Sequence, residues 1–281
     1  MPSFRVDYVK DINGLADYLQ KRFEQSGCSM LKLKRHHDES CLTIVLDGCI
    51  SKKSKKYIKA VNNLSDILSE YILKYYEKDI LEKIVNRICN GMPKTEKDEI
   101  FRIVCSRIYT QQSDVSSRVL IEGRKKTIST ELAEYFKNAN TITLEGFITF
   151  RLGKYVKRLE IEVERSIRQY LIERQYEEYI NLLTTFVRMQ VPKVPELHVF
   201  AQKDGSYRVE GTSPFGIPDD IKEGFGIDEG CPIIENDDFM IGFLLTCAPV
   251  KIFIHNPSMF RNKELLNTIR IVFSECVIIN E

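Results

Sequence analysis

Residues 143–190, TLEGFITFRLGKYVKRLEIEVERSIRQYLIERQYEEYINLLTTFVRMQ, run for almost fifty positions without a proline. Their apolar side chains fall at Leu152, Tyr155, Val156, Leu159, Val163, Ile167, Tyr170 and Leu171, then at Tyr179, Leu182, Leu183 and Phe186. Steps of three and four place these residues on one stripe of a helix. Thr143 is a candidate N-cap, with Glu145 in the first turn near the positive end of the helix dipole. Pro192 and Pro195 mark the exit, because proline cannot continue the backbone ladder. The run reads either as one extended helix or as two with a break, and Gly153 is its weakest internal link.

On both sides of this run the periodicity is mixed. Phe4 to Tyr8 alternates apolar and polar, Ile12 to Phe23 is helical, and Met30 to Lys34 and Leu42 to Leu46 are strand-like around the polar run RHHDES. Asp47-Gly48 closes that hairpin with turn chemistry. From Ile58 to Ile88 the spacing is again three and four, until Asn90-Gly91 and Pro93 stop it. Thr95 opens a further helix through Ile108, Val115 to Ile121 adds a turn or two, and Glu131 to Phe136 is a short helix behind Ser129 and Thr130. Beyond Pro195 the period drops to two. Leu197 to Gln202 and Tyr207 to Gly211 are joined by Lys203-Asp204-Gly205, a hairpin signal. Thr212 to Asp238 reads as a long loop, Phe239 to Cys247 as a helix, and Val250 to Ile254 as a strand buried on both faces. A helix around Leu265 to Phe273 and a strand at Val277 to Ile279 complete a βαβ unit.

The fold class is therefore α+β: a long-helix central region between N-terminal βαββ and C-terminal ββαβαβ elements, whose strands can share one mixed sheet. Sub-regions 1–50, 51–192 and 193–281 are expected to behave as a single cooperative unit spanning 1–281, since three N-terminal strands alone make a poor sheet.

Composition bounds the function. A hydrophobic fraction of 43% and a charged fraction of 29% describe a globular protein. No apolar run approaches the roughly 20 residues that span a bilayer, and MPSFRVDYVKD lacks the apolar region of a secretory signal. A cytoplasmic protein with no membrane partner is expected. Eight cysteines show no C-x-x-C spacing, which favours free thiols packed as small hydrophobes over disulfides. The net charge is +1, but residues 51–126 carry 17 Lys/Arg against 10 Asp/Glu, and residues 196–281 carry 7 against 14.

Three passages together resemble the YtxC-like family, sporulation proteins of endospore-forming bacteria. They are Glu145-Gly146-Phe147-Ile148-Thr149-Phe150-Arg151-Leu152-Gly153-Lys154-Tyr155, the run IERQYEEYINLLTTFVRMQVP ending at Pro192 and followed by Leu197-His198-Val199, and Asp237-Asp238 through Leu244-Leu245-Thr246-Cys247-Ala248-Pro249 to Lys251-Ile252-Phe253-Ile254-His255. The resemblance is similar in character over the last half of the chain and looser before Thr127. It implies an association with spore formation, an unknown protein partner in sporulating cells, and no catalytic activity.

Candidate sites are few. Phe147, Phe150, Arg151, Lys154 and Tyr155 form the sharpest cluster. Arg151 could hold an anionic partner, or the aromatics could fill the core while Arg151 pairs with a carboxylate. Lys52, Lys53, Lys55, Lys56 and Lys59, with Arg118, Arg124, Lys125 and Lys126, could form a nucleic-acid face, or a solvated one. His36-His37-Asp38 cannot converge on one ion without strain. His198 and His255 lie on strands that could be neighbours. Asp237 and Asp238 suit a helix N-terminus. No P-loop, dinucleotide fingerprint or nucleophile elbow occurs, and Gly224-Phe225-Gly226 has the wrong context for phosphate. No cofactor and no metal are expected. The reading is a non-enzymatic binding or scaffold protein, with nucleic-acid binding as the alternative.

Overall fold

The structure is a computed structural model that describes residues 2–7, 11–25, 30–35, 41–47, 51, 54–109, 115–212, 216–227 and 232–280. The chain divides into two compact units, Met1–Tyr170 and Leu171–Glu281.

In the first unit β1 (Ser3–Asp7), α1 (Ile12–Gln25), β2 (Leu31–Arg35) and β3 (Cys41–Leu46) form the expected βαββ element. The strand order is β2-β3-β1-β4, where β4 (Thr141–Thr143) pairs parallel to β1 with Val6 opposite Ile142. Only three residues long, β4 was hidden by the helical pattern on either side. Its Thr143 does precede a helix, but its side chain makes no capping bond. The helical pattern from Ile58 to Ile88 resolves into α2 (Lys55–Tyr75) and α3 (Glu77–Ile88), separated by Tyr76. Ser54 caps α2 by accepting from Tyr57 N–H. After α4 (Lys94–Tyr109), the short helices predicted between Val115 and Phe136 merge into one, α5 (Val115–Asn138), which packs along α2.

The long run breaks once, into α6 (Leu144–Arg151) and α7 (Gly153–Met189). The break at buried Leu152 sits beside Gly153. A Cβ at Gly153 would meet nothing within 4 Å, so the break reflects glycine's weak helix propensity rather than a steric need.

In the second unit β5 (Val194–Ala201) and β6 (Tyr207–Gly211) form the predicted hairpin, with Gly205 at φ +94° in the turn. The 212–238 stretch holds more structure than a loop: α8 (Asp219–Gly224) and the two-residue β7 (Ile233–Ile234). Then come α9 (Asp237–Cys247), β8 (Pro249–His255), α10 (Lys263–Val272) and β9 (Val277–Asn280), with β5, β8 and β9 parallel in the order β7-β6-β5-β8-β9. Asn236 caps α9 through Asp238 N–H. Asn262 caps α10 with its Oδ1, while its Nδ2 donates to Asp237 at 2.7 Å. Tyr207 donates to the same carboxylate at 3.0 Å. Asp237 is thus more than a helix-dipole partner, because it ties β6, α9 and the start of α10 together.

Among the described residues the strands form two sheets rather than one shared sheet. The N-terminal strands find their fourth member in β4, and the C-terminal strands complete a five-stranded sheet of their own. The helix α7 contributes residues to both cores. Tyr155, Leu159 and Val163 of α7 belong to the first core, and Ile180, with half-buried Leu183 and Val187, to the second. Melting either core frays the same helix, so the full chain is expected to unfold in a single transition. Calorimetry beside far-UV circular dichroism checks this. Two resolved transitions, or a calorimetric enthalpy well above the van't Hoff value, would show that the units unfold separately.

Candidate functional site

Glu77 begins α3 on the same stripe as Leu81 and Ile84, and is 1% exposed. An ionised carboxylate there loses its hydration and needs donors in return. Three elements supply them. Tyr155 of α7 donates its hydroxyl to Oε1, Arg124 of α5 brings Nη1 to 3.3 Å, and Tyr109 of α4 adds a hydrogen bond. Burial first, then the Glu77 charge, push both phenols far above the ordinary tyrosine range. Both therefore stay protonated as donors.

Seven residues earlier, on α2, Glu70 accepts from Arg22, from Lys125 Nζ at 2.7 Å and from Tyr18 Oη at 3.3 Å. Burial alone would raise the Glu70 carboxyl. The hydrogen bond and charge of Lys125, with Arg22, outweigh it and hold the group below its usual value. Lys125 is raised in return, Glu70 prevailing over the burial that would lower it. Tyr18 rises to about 12 through burial and the Glu70 charge.

These two carboxylates form the floor of a cleft of about 430 Å³, lined also by Lys74, Lys78, Tyr109 and Glu122. At the rim the Lys74 ammonium lies 5.1 Å from the Tyr75 ring centre, and that of Lys78 lies 6.0 Å from Phe101. The Nε donors of Arg124, which lines the cleft, and of Arg22 are buried without a hydrogen-bond partner among the described residues.

The two clusters read from the sequence are thus redistributed. Phe147 and Tyr155 are buried, whereas Arg151 and Lys154 are exposed and Phe150 is 82% exposed. Arg151 pairs with no carboxylate among the described residues; its guanidinium lies 5.8 Å from the Tyr135 ring centre, a contact worth about 0.5–1 kcal/mol at an exposed site. Arg124 and Lys125 turn inward to Glu77 and Glu70, while Lys55, Lys56, Lys59 and Lys126 remain exposed. The structure therefore brings Tyr155 of the first cluster together with Arg124 of the second. Lys52, Lys53 and His36-His37-Asp38 lie outside the described residues, as does the side chain of Arg118. Glu70, Glu77 and Tyr109 were missed, although an acid on the apolar stripe of α3 was a readable signal.

His198 and His255 do meet. The parallel register sets His198 opposite Phe253 and Phe200 opposite His255, giving two cross-strand ring stacks at 4.8 and 4.3 Å. His198 Nδ1 lies 3.0 Å from His255 Nε2, with ring centres 5.3 Å apart. The extra separation is about two ring radii, so the nitrogens point at each other. The contact is a hydrogen bond in which the tautomer decides which ring donates. Burial and then the neighbouring imidazole lower His255, against a smaller opposing pull from Glu210. Among the described residues no group of three or more His, Cys, Asp or Glu is placed to hold a metal ion. Cys41, Cys89, Cys105, Cys247 and Cys276 are free thiols, and burial raises the last four. Cys28, Cys49 and Cys231 lie outside the described residues.

A helical bundle joined to a small sheet, with a buried carboxylate held by several partners between helices, defines an α+β protein with a pre-organised charged cleft. The model of the YtxC-like family matches residues 62–278, and the chain belongs to that family. It is similar to the uncharacterized protein YtxC of Bacillus subtilis (strain 168), at 24% identity over 187 residues, 66% of this chain and 66% of that protein. No solved structure matches. No helix among the described residues is long and apolar enough to cross a membrane.

The Glu70 ion pairs make a pH-dependent prediction. At neutral pH, Glu70→Gln is expected to lower stability by about 1–3 kcal/mol, because Arg22 and Lys125 lose a charged acceptor. A lowered carboxyl stabilises the fold above the ordinary 4.5 and loses that contribution as pH falls through its folded value. The gap between variant and wild type should accordingly close in acid. Chemical denaturation of both across the acid range checks it, and a gap constant with pH would remove the charge from the account.

Proposed function

We propose that this protein is a cytoplasmic, non-catalytic binding protein of spore formation, whose cleft in the first unit receives an acidic segment of a protein partner. The observation that carries the reading is the pair of exposed ammonium groups, Lys74 and Lys78, backed by aromatic rings rather than carboxylates at the mouth of a cleft. Its lining has Lys74, Lys78, Arg124 and Lys125 against Glu70, Glu77 and Glu122, a local surplus of positive charge. Cations over aromatic faces are held without being neutralised, so they remain available to an incoming carboxylate. A non-catalytic role is supported by the engagement of both floor carboxylates with cations and phenols, which leaves neither poised as a general base. The link to spore formation rests on the family resemblance, and the cytoplasmic setting on the sequence.

Capture by the full-length chain from sporulating cells, with and without nuclease, tests this. A partner is expected that survives nuclease treatment and is lost when Lys74→Glu and Lys78→Glu are combined. Retention by the double variant would move the site elsewhere.

Nucleic-acid binding is the second reading, favoured by the exposed Lys55, Lys56 and Lys59 around the start of α2 and by Lys126 on α5. Such binding should be independent of sequence and fall steeply with salt, with a slope of roughly 0.9 per phosphate contacted on duplex DNA. Replacing Lys52, Lys53, Lys55 and Lys56 by Ser is expected to abolish it. Fluorescence anisotropy at low salt decides the matter, and no binding there would eliminate this reading.

A further inference from the structure

The second half of α7 carries two apolar seams. The inner one, Ile180 with Leu183 and Val187, packs into the core of the second unit, helped by a 2.9 Å hydrogen bond between Tyr176 and Thr268. On the other side Ile172, Gln175, Tyr179, Leu182, Phe186 and Met189 follow one another at steps of three and four, and all are exposed. Leu182 is 71% and Met189 80% exposed. Asn181 and Thr185 flank Leu182, Phe186 and Met189 in a shallow groove. This spacing is a heptad seam with a residue at every a and d position, which selects a second helix as its occupant rather than a flat surface. The next a and d positions towards the N-terminus are Arg165 and Arg168, so the seam has a defined end.

Charge identifies the partner and its direction. Residues 171–178 hold Glu173, Glu177 and Glu178 against Arg174, which pairs with Glu178, whereas the far end holds Arg188, whose guanidinium is 3.3 Å from Glu275 on the exposed surface, and Lys193. Two parallel copies would set acid beside acid and base beside base. An antiparallel pair sets the acidic end of each copy beside the basic end of the other, and it closes under a two-fold axis. In that register Ile172 meets Met189, Tyr179 meets Leu182, and Gln175 faces Phe186. A lone polar residue in a seam fixes register at some cost in affinity. The helix is already ordered by its inner seam, so pairing does not have to supply the cost of folding it.

We infer that the protein self-associates as an antiparallel dimer through the outer seam of α7 between Ile172 and Met189. The surface belongs to the second unit, whereas the charged cleft is lined by residues of the first.

Sedimentation velocity of the full chain is expected to show a monomer–dimer equilibrium in the micromolar range. Leu182→Glu with Phe186→Glu should weaken it by roughly 30-fold or more, with a thermal melt that matches wild type at concentrations where the wild type is monomeric, because both side chains are exposed. A monomer at every concentration would overturn the inference, and so would a dimer indifferent to the double variant. Orientation is read by mixing a chain carrying Ile172→Cys with one carrying Met189→Cys under mild oxidation. A mixed disulfide above the wild-type background is expected, and a dominant Met189→Cys homodimer would overturn the antiparallel arrangement.

Discussion

The buried carboxylate of Glu77 is the constraint on which the helical unit depends. Removing such a group from water costs several kcal/mol unless charge and hydrogen bonds replace its hydration. The replacement comes from Tyr109, Arg124 and Tyr155, one each from α4, α5 and α7. Three helices distant in sequence are thus held to one atom group, and none can shift without leaving a charge unsatisfied. The interruption at Tyr76 follows the same logic. Restarting the helix at Glu77 places the acid at a helix N-terminus, where the backbone dipole favours negative charge. Tyr76 itself is fastened by a 2.8 Å bond to Glu145 of α6.

The same unit shows why counting lysines and arginines along a chain overstates a basic surface. Residues 51–126 carry an excess of positive charge, but Arg124 and Lys125 spend theirs on Glu77 and Glu70. What faces solvent is spread over several helices rather than gathered on one face: Lys55, Lys56 and Lys59 near the start of α2, Lys74 and Lys78 at the mouth of the cleft, Lys83 and Arg87 on α3, Lys94, Arg102 and Arg107 on α4, and Lys126 on α5, with Arg87 and Arg102 paired to Glu160 and Glu99.

Periodicity made most elements legible. The spacing around Val163 and Ile167 and the alternation after Pro195 locate α7 and the second sheet to within a few residues, because burial imposes those periods directly. What escaped was set by contacts far apart in sequence. Thr141 to Thr143 becomes a strand only because β1 lies beside it. Tyr76 interrupts an apolar pattern that continues unbroken through it. Among the described residues the strands fall into two separate sheets, the N-terminal one completed by β4. The site was less legible than the fold. Tyr155 and Arg124 were singled out for different reasons and in different clusters, while the carboxylate that unites them gave only the signal of an acid on an apolar stripe. The meeting of His198 and His255 required knowledge of strand register.

Asn262 has a consequence for which substitutions the second unit can tolerate. Asparagine and aspartate are near-equals as helix caps, and an exchange between them at most caps would pass unnoticed. At this position the amide is used at both ends: its oxygen accepts from Glu264 and Leu265 N–H groups, and its nitrogen donates to Asp237. That fixes the orientation of an amide whose oxygen and nitrogen are otherwise hard to tell apart. Aspartate would cap α10 equally well, yet it would turn a carboxylate oxygen towards Asp237 and exchange a hydrogen bond for a repulsion. Spontaneous deamidation of Asn262 would therefore be a lesion in the fold, even though local helix chemistry would register it as silent.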